Sequence, residues 1–424
     1  MADVITTIGT RADESISITG TSGSNPYTVS LSSATTTTSN GDSLVDNSSN
    51  VFLITDGAGT DSLTVLDSTG VGGAPSSGGS EITARYYSTI AAWESSLDDS
   101  DLFASGDYST GHLMADSDHA EKNNDINGGR TVGLDKITLT VPAGERHDGT
   151  HDTGAKIKLP SNSLQAIKCK AQFIPVELSW FEVDVNDKGH YGVINCIGNT
   201  TNAPVIHHLI VHNSSGASGG NASMIGAGAA TGLVVHNCAI YNVNANGTRS
   251  EAGIAGRNSR PFQAYNCSVL SITQDGSGTA NGIKAIEDDA DHVVQNTIAV
   301  DITDDCFDDY LASPSNATLT NNIASDTSND GHTNSVSSES AGDLFVSIFE
   351  GSEDLSLKSG ANTAVDAGTD LSSLSYNDID IDLFGQTRSG DWDIGCYQRP
   401  PADPDVSQPL QHTLRRPHRH IVRR

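Results

Sequence analysis

The feature that most constrains the fold of this chain is a short motif that recurs between residues 193 and 323. It reads as an apolar pair, one further residue, Asn, then Cys or a small polar residue, and again an apolar residue. It occurs at residues 193–197, 210–213, 234–238, 263–267 and 293–298, and a sixth copy fits at 319–323. From Asn213 onward the Asn positions lie about 24 to 30 residues apart. That spacing is typical of a solenoid whose repeats bury their apolar faces only against neighbouring repeats.

The composition of the repeats indicates strands rather than helices. The units are rich in Val, Ile, Thr, Asn and Gly, so each is predicted to form one rung of an all-β, parallel β-helix. The repeated Asn should turn inward at a corner and hydrogen-bond the next rung, which predicts a ladder of Asn213, Asn237, Asn266 and Asn296. Three cysteines follow the repeated Asn, namely Cys196, Cys238 and Cys267, and are predicted to form one buried column of reduced thiols.

Charge and hydropathy exclude several function classes. The chain has 53 acidic and 23 basic side chains, a formal charge of -30, so we expect it to repel nucleic acid and anionic membranes. Solubility alone also explains such acidity. No apolar run approaches 18 residues, which predicts no membrane span, and the start MADVI lacks the basic and apolar regions of a secretory signal.

Composition divides the chain into five parts. Residues 1–83 are predicted to be a Ser/Thr/Gly-rich β module and linker joined by a flexible hinge. Residues 84–135 form an N-terminal cap region with a helix that begins after Ser88 and carries Ile90, Trp93 and Leu97 on one face. The parallel β-helix occupies 136–343, a C-terminal closing element 344–398, and a basic, Pro-rich tail 399–424. The cap helix should cover the edge of the first rung.

The tail separates positive charge from an otherwise acidic chain. Its arginines are Arg415, Arg416, Arg419, Arg423 and Arg424. A Pro-rich segment with few apolar residues cannot recover its ordering entropy alone, so the tail is predicted to order only against an acidic partner, another protein of the same assembly or a copy of this chain. A homo-oligomer is therefore expected. The alternative is an exposed tail that binds nothing.

Several further segments carry a family resemblance. The sequence VITTIGT at 4–10, continued after an insertion by ARYYSTIAAWE at 84–94, resembles the start of right-handed parallel β-helix proteins of tailed-phage virions, with the pectate-lyase-like architecture. The segments 356–369, 378–388 and 392–397 are similar to the C-terminal cap of the same group. In those proteins the two opening pieces are usually adjacent, so residues 11–83 look inserted. The final motif is commonly DIGAYE, where this chain has Cys396 and Gln398 in the fourth and sixth places.

The resemblance implies a function as well as a fold. It favours a structural or receptor-contacting virion protein without catalysis, assembled in the host cytoplasm with other virion proteins and in contact with host surface polysaccharide. The alternatives are a polysaccharide lyase or glycan depolymerase, on a virion or extracellular, and an exported adhesin, because all of these share the architecture.

The densest acidic cluster offers a possible active site. Asp301, Asp304, Asp305, Asp308 and Asp309 lie near the acidic segment 287–291 and could together hold Ca²⁺, which takes six to eight oxygens. Pectate-lyase-like enzymes combine such a calcium with a Lys or Arg base, which makes Lys284, Asp305 and Asp308 the candidate catalytic residues, with Arg257 and Arg260 one rung earlier. The simpler interpretation is turn chemistry, in which Asp side chains cap their own backbone and no cofactor is bound.

Histidines also recur on the repeats. His207 and His208 are followed by His212 and His236, and the last two are expected to stack in register on one face. Stacked imidazoles could ligate a metal or act as acid and base, or they could be a side-chain ladder that repeats because the rungs repeat.

Overall fold

The structure of the chain is a computed structural model. It describes residues 2–69, 72–79, 81–116, 118–160, 165–170, 173–185, 192–197, 202–215, 222–227, 232–245, 250–256, 261–285, 292–308, 310–313 and 317–400.

Three parallel sheets form a solenoid. Within the described ranges, the first sheet has nine strands in spatial order: Asp3–Ile8, Tyr108–Leu113, Lys136–Thr140, Val176–Ser179, Val205–His207, Leu233–His236, Phe262–Tyr265, His292–Gln295 and Ala317–Thr320. The second sheet contains Asp118–His119, Lys156–Lys158, Glu182–Asp184, Ile210–Ser215, Ala239–Ala245, Ser268–Gln274, Ile298–Ile302 and Ile323–Ala324. The third contains Asn124–Ile126, Ile167–Cys169, Ile194–Cys196, Ala222–Ala227, Glu251–Gly256, Ala280–Ala285 and Asp305–Phe307. This is the predicted parallel β-helix.

Alternation within each short strand explains the core. In the first sheet Ile206, Val235, Ala264 and Val294 are register partners on successive rungs, and all are fully buried. Successive rungs lie about 4.8 Å apart, so each inward side chain packs on its equivalent in the next rung. The β-branched residues of the repeat therefore form a continuous apolar column along the solenoid.

Two left-handed corners occur in the regular rungs. The corner between the first and second sheets is occupied by His208, Asn237, Asn266, Asn296 and Asn321, with φ between 51° and 54°. A second corner, inside the second-sheet strands, holds Asn213, Asn242, Ser271 and Asp301, with φ between 54° and 61°. Asn tolerates this conformation better than most residues.

The predicted ladder therefore needs a correction at one position. Asn237, Asn266 and Asn296 do occupy equivalent corners, but Asn213 stands at the second corner and pairs in register with Asn242. His208 takes the place predicted for Asn213. The orientation also differs from the prediction, because these side chains turn outward toward a C-terminal segment rather than into the core.

That segment, residues 366–382, is called the strap here. It runs along the outside of the first corner, from the rung of Asn321 toward the rung of Trp180. Its backbone oxygens accept hydrogen bonds from the ladder amides: Ala367 from Asn321, Thr369 from Asn296 and Ile381 from Asn237, with distances of 2.6 to 2.7 Å. The closing element predicted at 344–398 is thus in large part a lateral cover of the solenoid.

The remaining C-terminal residues cover the outer face of the second sheet. The helix Ala341–Leu344 and the antiparallel strands Phe345–Ser347 and Asp354–Leu357 contribute Leu344, Phe345 and Leu357 to a cluster that contains Ile210, Leu270 and Ile298 of the second sheet. On the first sheet, Leu371 and Ile379 of the strap pack against Val234 and Tyr265. The described outer faces of these two sheets are therefore extensively buried.

The N-terminal module is an insertion between two pieces of the solenoid. Its antiparallel sheet comprises Glu14–Ile16, Ile18–Gly23, Tyr27–Leu31, Ser43–Val45, Val51–Asp56, Ser62–Asp67 and Glu81–Ala84. Ile8 bridges to Tyr87, so the chain resumes the solenoid where it left. The predicted boundary at residue 83 needs correction, since Asp3–Ile8 is a solenoid strand, and the β-helix starts before residue 136 because the strands at 108–126 belong to it.

The junction of this module is not the predicted flexible hinge. The carboxylate of Asp42 is fully buried and pairs with Arg11 at 2.9 Å and Arg85 at 3.1 Å. Arg85 also reaches Asp116 of the solenoid at 2.7 Å. Burying this carboxylate is favourable only while its two partners are present, so the charges hold the module against the first rungs.

The cap helix runs from Ile90 to Ser95 and begins one residue later than predicted. Thr89, not Ser88, is the N-cap, and its side chain accepts the N–H of Ala92 at 3.0 Å. Ile90, Trp93 and Leu97 are fully buried among the first rungs, as the apolar spacing predicts.

All six cysteines are buried and free of disulfides, but the three that were predicted to form one column lie in two different places. Cys169 and Cys196 are register partners in the third sheet, whereas Cys238 and Cys267 stack just after the first corner. The rungs repeat two different Asn-Cys contexts, which the linear motif does not distinguish.

Candidate functional site

The candidate catalytic residues meet on the outer face of the third sheet. Lys284 belongs to the strand Ala280–Ala285, and Asp305 begins the strand of the next rung, where it is the register partner of Asn281. Lys284 donates to Asn281 Oδ1 at 3.0 Å and to Thr279 Oγ1 at 3.3 Å. These two hydrogen bonds hold the ammonium group over the sheet, a positioning that the sequence did not reveal.

Asp308 lies beside Lys284 at the end of the next rung. Its backbone N–H donates to Ile283 at 3.1 Å, and its two carboxylate oxygens accept the N–H groups of Ala285 and Leu311, each at 3.2 Å. Burial raises the pKa of Asp308 to about 6, against the lowering by those N–H groups and by Lys284. Asp305 adds to the upward shift of this pKa through its negative charge.

The other carboxylates do not converge with these residues. Asp304 accepts the N–H of Ala280 at 2.6 Å. Asp301 stands at the second corner, where its carboxylate accepts a hydrogen bond from the hydroxyl of Ser271 at 2.9 Å. The prediction that groups Asp301 with the other carboxylates of the cation site is therefore corrected. The described Asp side chains act mainly as caps of backbone N–H groups, and they do not together form a shell of oxygens of the kind that Ca²⁺ takes. Calcium stays a prediction.

Some predicted residues lie outside the described ranges. These are Asp309, Arg257, Arg260, the acidic segment 287–291 and the tail arginines Arg415, Arg416, Arg419, Arg423 and Arg424. In the sequence, the segments 257–260 and 286–291 directly follow the third-sheet strands Glu251–Gly256 and Ala280–Ala285.

A polar groove of about 520 Å³ lies elsewhere, beside the second corner. Its lining comprises Asn213, Ser214, Asn242, Val243, Asn244, Ser271, Thr273, Glu350 and Gly351. Amides and hydroxyls there could hydrogen-bond a ligand, but Glu350 is the one ionisable side chain in this lining. Acid and base chemistry therefore has better groups at Lys284 and Asp308.

The predicted pairing of His212 with His236 is wrong. His212 lies on the second sheet and bonds Glu182 at 2.8 Å. His236 lies on the first sheet, where its ring stacks on that of His207 at 4.7 Å. His212 directly precedes the second corner, at Asn213, and His236 directly precedes the first, at Asn237, so the two histidines belong to different corners.

The Lys284 face can perform one kind of chemistry. A carboxyl group with a pKa of about 6 exchanges a proton near neutral pH, and a neighbouring ammonium group offsets negative charge that develops on a bound molecule.

No described helix is long and apolar enough to cross a membrane.

Comparison with known proteins adds information on the fold. No family model matches the chain, and no curated protein matches it. Among solved structures, a crystal structure of pectate lyase Pel9A is similar, with 12% sequence identity and a TM-score of 0.35, covering 74% of this chain and 92% of that chain. The parallel β-helix is shown by the three stacked sheets themselves, and the similarity to this lyase concerns the fold alone.

Proposed function

We propose that this protein binds an acidic, uronate-containing polysaccharide on the outer face of the third sheet and cleaves it by β-elimination. The observation that carries the proposal is the neighbouring pair of Lys284 and Asp308, one with a positive charge and the other with a pKa raised to about 6. An extended polysaccharide suits a surface that repeats at each rung.

The chemistry needs two groups of this kind. The ammonium of Lys284 offsets the charge of the substrate carboxylate, which makes the adjacent C–H proton more acidic and stabilises the enolate that forms. Asp308, ionised above pH 6, accepts that proton. The C–H and glycosidic C–O bonds break, a C=C bond forms, and the proton ends on the departing oxygen, so neither water nor a redox partner is consumed.

Activity assays on acidic polysaccharides test this proposal. The full chain should produce unsaturated oligosaccharides from at least one uronate polymer, with a rate that rises as pH increases through about 6. Lys284→Ala and Asp308→Asn should each reduce the rate at least a hundredfold, a typical effect of removing an acid–base group.

Lys168→Ala is the matched control. Lys168 occupies the same register column of the third sheet four rungs earlier, where it pairs with Asp125 at 3.6 Å. The control should keep full activity. A Lys284→Ala variant that is as active as the unmodified chain would refute the proposed role, and so would an absence of unsaturated product from every polymer.

The role in a phage virion rests on the sequence resemblance, and we keep it as a second proposal. It predicts binding to surface polysaccharide without turnover. Binding without unsaturated product, unaffected by Lys284→Ala, would favour that role over the lyase.

A further inference from the structure

Three histidines are enclosed between the first sheet and the strap, on the side of the first corner. His207 ends a first-sheet strand, His208 occupies the left-handed corner that follows it, and His236 ends the strand of the next rung. None of them exposes more than 1% of its surface. One nitrogen from each lies within 4.8 Å of the others, and within the described part of the chain this is the one group of three or more such side chains.

Hydrogen bonds determine which nitrogen of His208 carries its proton. His208 Nε2 lies 2.8 Å from the carbonyl oxygen of Ile381 in the strap. A carbonyl oxygen can only accept, so Nε2 must donate, and Nδ1 of the neutral ring then carries a lone pair. Ile381 accepts from Asn237 as well, so His208 bonds the strap as the ladder asparagines do.

The same argument applies to His207. Its Nε2 lies 3.2 Å from Glu177 Oε1. Burial would raise the pKa of Glu177, but the hydrogen bond from His207 and the ion pair with Lys136 lower it to about 2. The ionised carboxylate accepts the Nε2 proton of His207, so Nδ1 of a neutral His207 also carries a lone pair.

The two lone pairs point at each other. His207 Nδ1 and His208 Nδ1 are 2.8 Å apart, a distance that two unprotonated nitrogens do not hold unless a cation lies between them. That cation is either a proton or a metal ion.

His236 supplies the third nitrogen. Its ring lies parallel to that of His207, at 8° and 4.7 Å; its Nδ1 is 3.3 Å from the amide nitrogen of Asn237, and its Nε2 is buried without a hydrogen-bond partner. One of its nitrogens lies within 4.8 Å of those of His207 and His208. Arg388 opposes a cation here, whereas the carboxylate of Glu177 favours one.

We propose that His207, His208 and His236 bind a divalent transition metal, Zn²⁺ being the best match, beneath the strap. Three neutral imidazoles are a typical Zn²⁺ donor set. Metal-bound histidines usually donate their second N–H to a carboxylate or a backbone carbonyl, and His207 and His208 do so to Glu177 and Ile381. Zn–N bonds of about 2.0 to 2.1 Å in a tetrahedron place the nitrogens about 3.3 Å apart. His207 and His208, whose nitrogens are 2.8 Å apart, need to separate by about half an ångström, and the stacked ring of His236 needs to turn toward them.

The test is metal content and thermal unfolding of the full chain, which are independent of polysaccharide cleavage. Chain stripped with a chelator and incubated with Zn²⁺ should bind one ion per molecule and unfold at a higher temperature, because metal that binds only the folded state stabilises it. Bound Co²⁺ should show the visible absorption of a tetrahedral site. Incubation should be long, since the strap covers the site.

His208→Asn is the decisive variant. It restores the residue found at this corner in the following rungs, so it should fold while binding Zn²⁺ at least a hundredfold more weakly. Glu177→Gln keeps all three ligands and should weaken binding roughly 10- to 100-fold, which decides the matter if His208→Asn does not fold. His332→Asn, which removes a histidine that bonds Ala312 at another part of the solenoid, should bind as the unmodified chain does.

Two results would overturn the proposal. In the first, the unmodified chain takes up no Zn²⁺ and unfolds at the same temperature with and without it. The cation between His207 and His208 would then be a shared proton. Equal Zn²⁺ uptake by His208→Asn would place the metal elsewhere.

Discussion

Replacing Asn296 by Ala removes the centre of the attachment between the strap and the solenoid. The amide nitrogen of Asn296 donates to Thr369 O at 2.7 Å and to Asn266 Oδ1 at 3.0 Å, and its Oδ1 accepts the Thr369 N–H at 2.8 Å. The residue is fully buried and has a φ of 52°. Alanine can make none of these three hydrogen bonds and is strained in this conformation.

The expected loss follows from two contributions. Three hydrogen bonds contribute about 0.5 to 1.5 kcal/mol each to stability. The left-handed conformation costs a residue with a Cβ about 1 to 2 kcal/mol, of which Asn recovers part through local hydrogen bonding. Only the two bonds to Thr369 reach the strap, so they give a loss of about 2 kcal/mol in the free energy that holds the strap against the solenoid. The bond to Asn266 and the left-handed strain lie within the solenoid and lower its own stability.

Hydrogen exchange measures this loss locally. If the strap opens as a unit, its amides should exchange roughly thirtyfold faster in Asn296→Ala, since each 1.4 kcal/mol is a factor of ten. Asn296→Gly lacks the same hydrogen bonds but tolerates the left-handed conformation, so its strap should open as readily as that of the Ala variant, while its solenoid should be more stable by about 1 kcal/mol.

Asn213→Ala is the control. Asn213 also has a left-handed conformation, with a φ of 61°, but its amide bonds Asp184 at 3.3 Å and not the strap. Exchange in the strap should not change in this variant. An acceleration below tenfold in Asn296→Ala, or an equal acceleration in Asn213→Ala, would show that the ladder amides do not hold the strap.

Three further predictions concern other parts of the chain. Because burial raises the pKa of Asp308 from its usual 3.8 to about 6, its contribution to stability is greatest below pH 4 and is lost as pH rises through 6, by about 3 kcal/mol; urea unfolding of Asp308→Asn should lack this dependence. The six cysteines are buried and reduced, so a thiol reagent should label none of them before unfolding and all six after it; a disulfide found by mass spectrometry would contradict the pairs. Deleting residues 401–424 should leave the unfolding temperature unchanged but weaken self-assembly in a salt-sensitive way, and assembly that is indifferent to the deletion would contradict the role of the tail.

The period of the Asn motif predicted the solenoid because a repeat of apolar and turn residues has few other solutions. It assigned Asn237, Asn266 and Asn296 to one corner, and the structure places them there. It failed at Asn213 because each regular rung has two left-handed corners, and either can hold Asn. The sequence did contain a sign of this difference: Asn213 lies 24 residues before Asn237, whereas the next two intervals of the ladder are 29 and 30 residues.

The strap could not be predicted from the repeats. Asn237 and Asn266 donate to backbone oxygens of Ile381 and Ile379, which lie 144 and 113 residues further along the chain. A carbonyl acceptor has no residue identity, so such contacts leave no pattern in the sequence. The tautomers of His207 and His208 depend on Glu177 and on a backbone oxygen of the strap, so they could not be predicted from the repeats either.

At the candidate catalytic site, the spacing of residues in the sequence predicted which residues are neighbours but not which way their side chains point. Lys284 and Asp308 are 24 residues apart, close to one rung, which is why they are neighbours. The same spacing says nothing about whether a carboxylate faces a ligand or a backbone N–H. Asp304 faces the backbone of Ala280, and that local choice separates it from the cluster that the sequence suggested.

The distribution of covering segments supports the third sheet as the face for a ligand. The strap buries Val234 and Tyr265 of the first sheet, and the strands around Phe345 bury Ile210 and Leu270 of the second. The Lys284 side chain, by contrast, is only partly buried, and the chain keeps an ionisable pair there. Burying a carboxylate opposes folding, so the retention of the buried Asp308 next to the partly accessible Lys284 is consistent with the proposed ligand-binding role of this face.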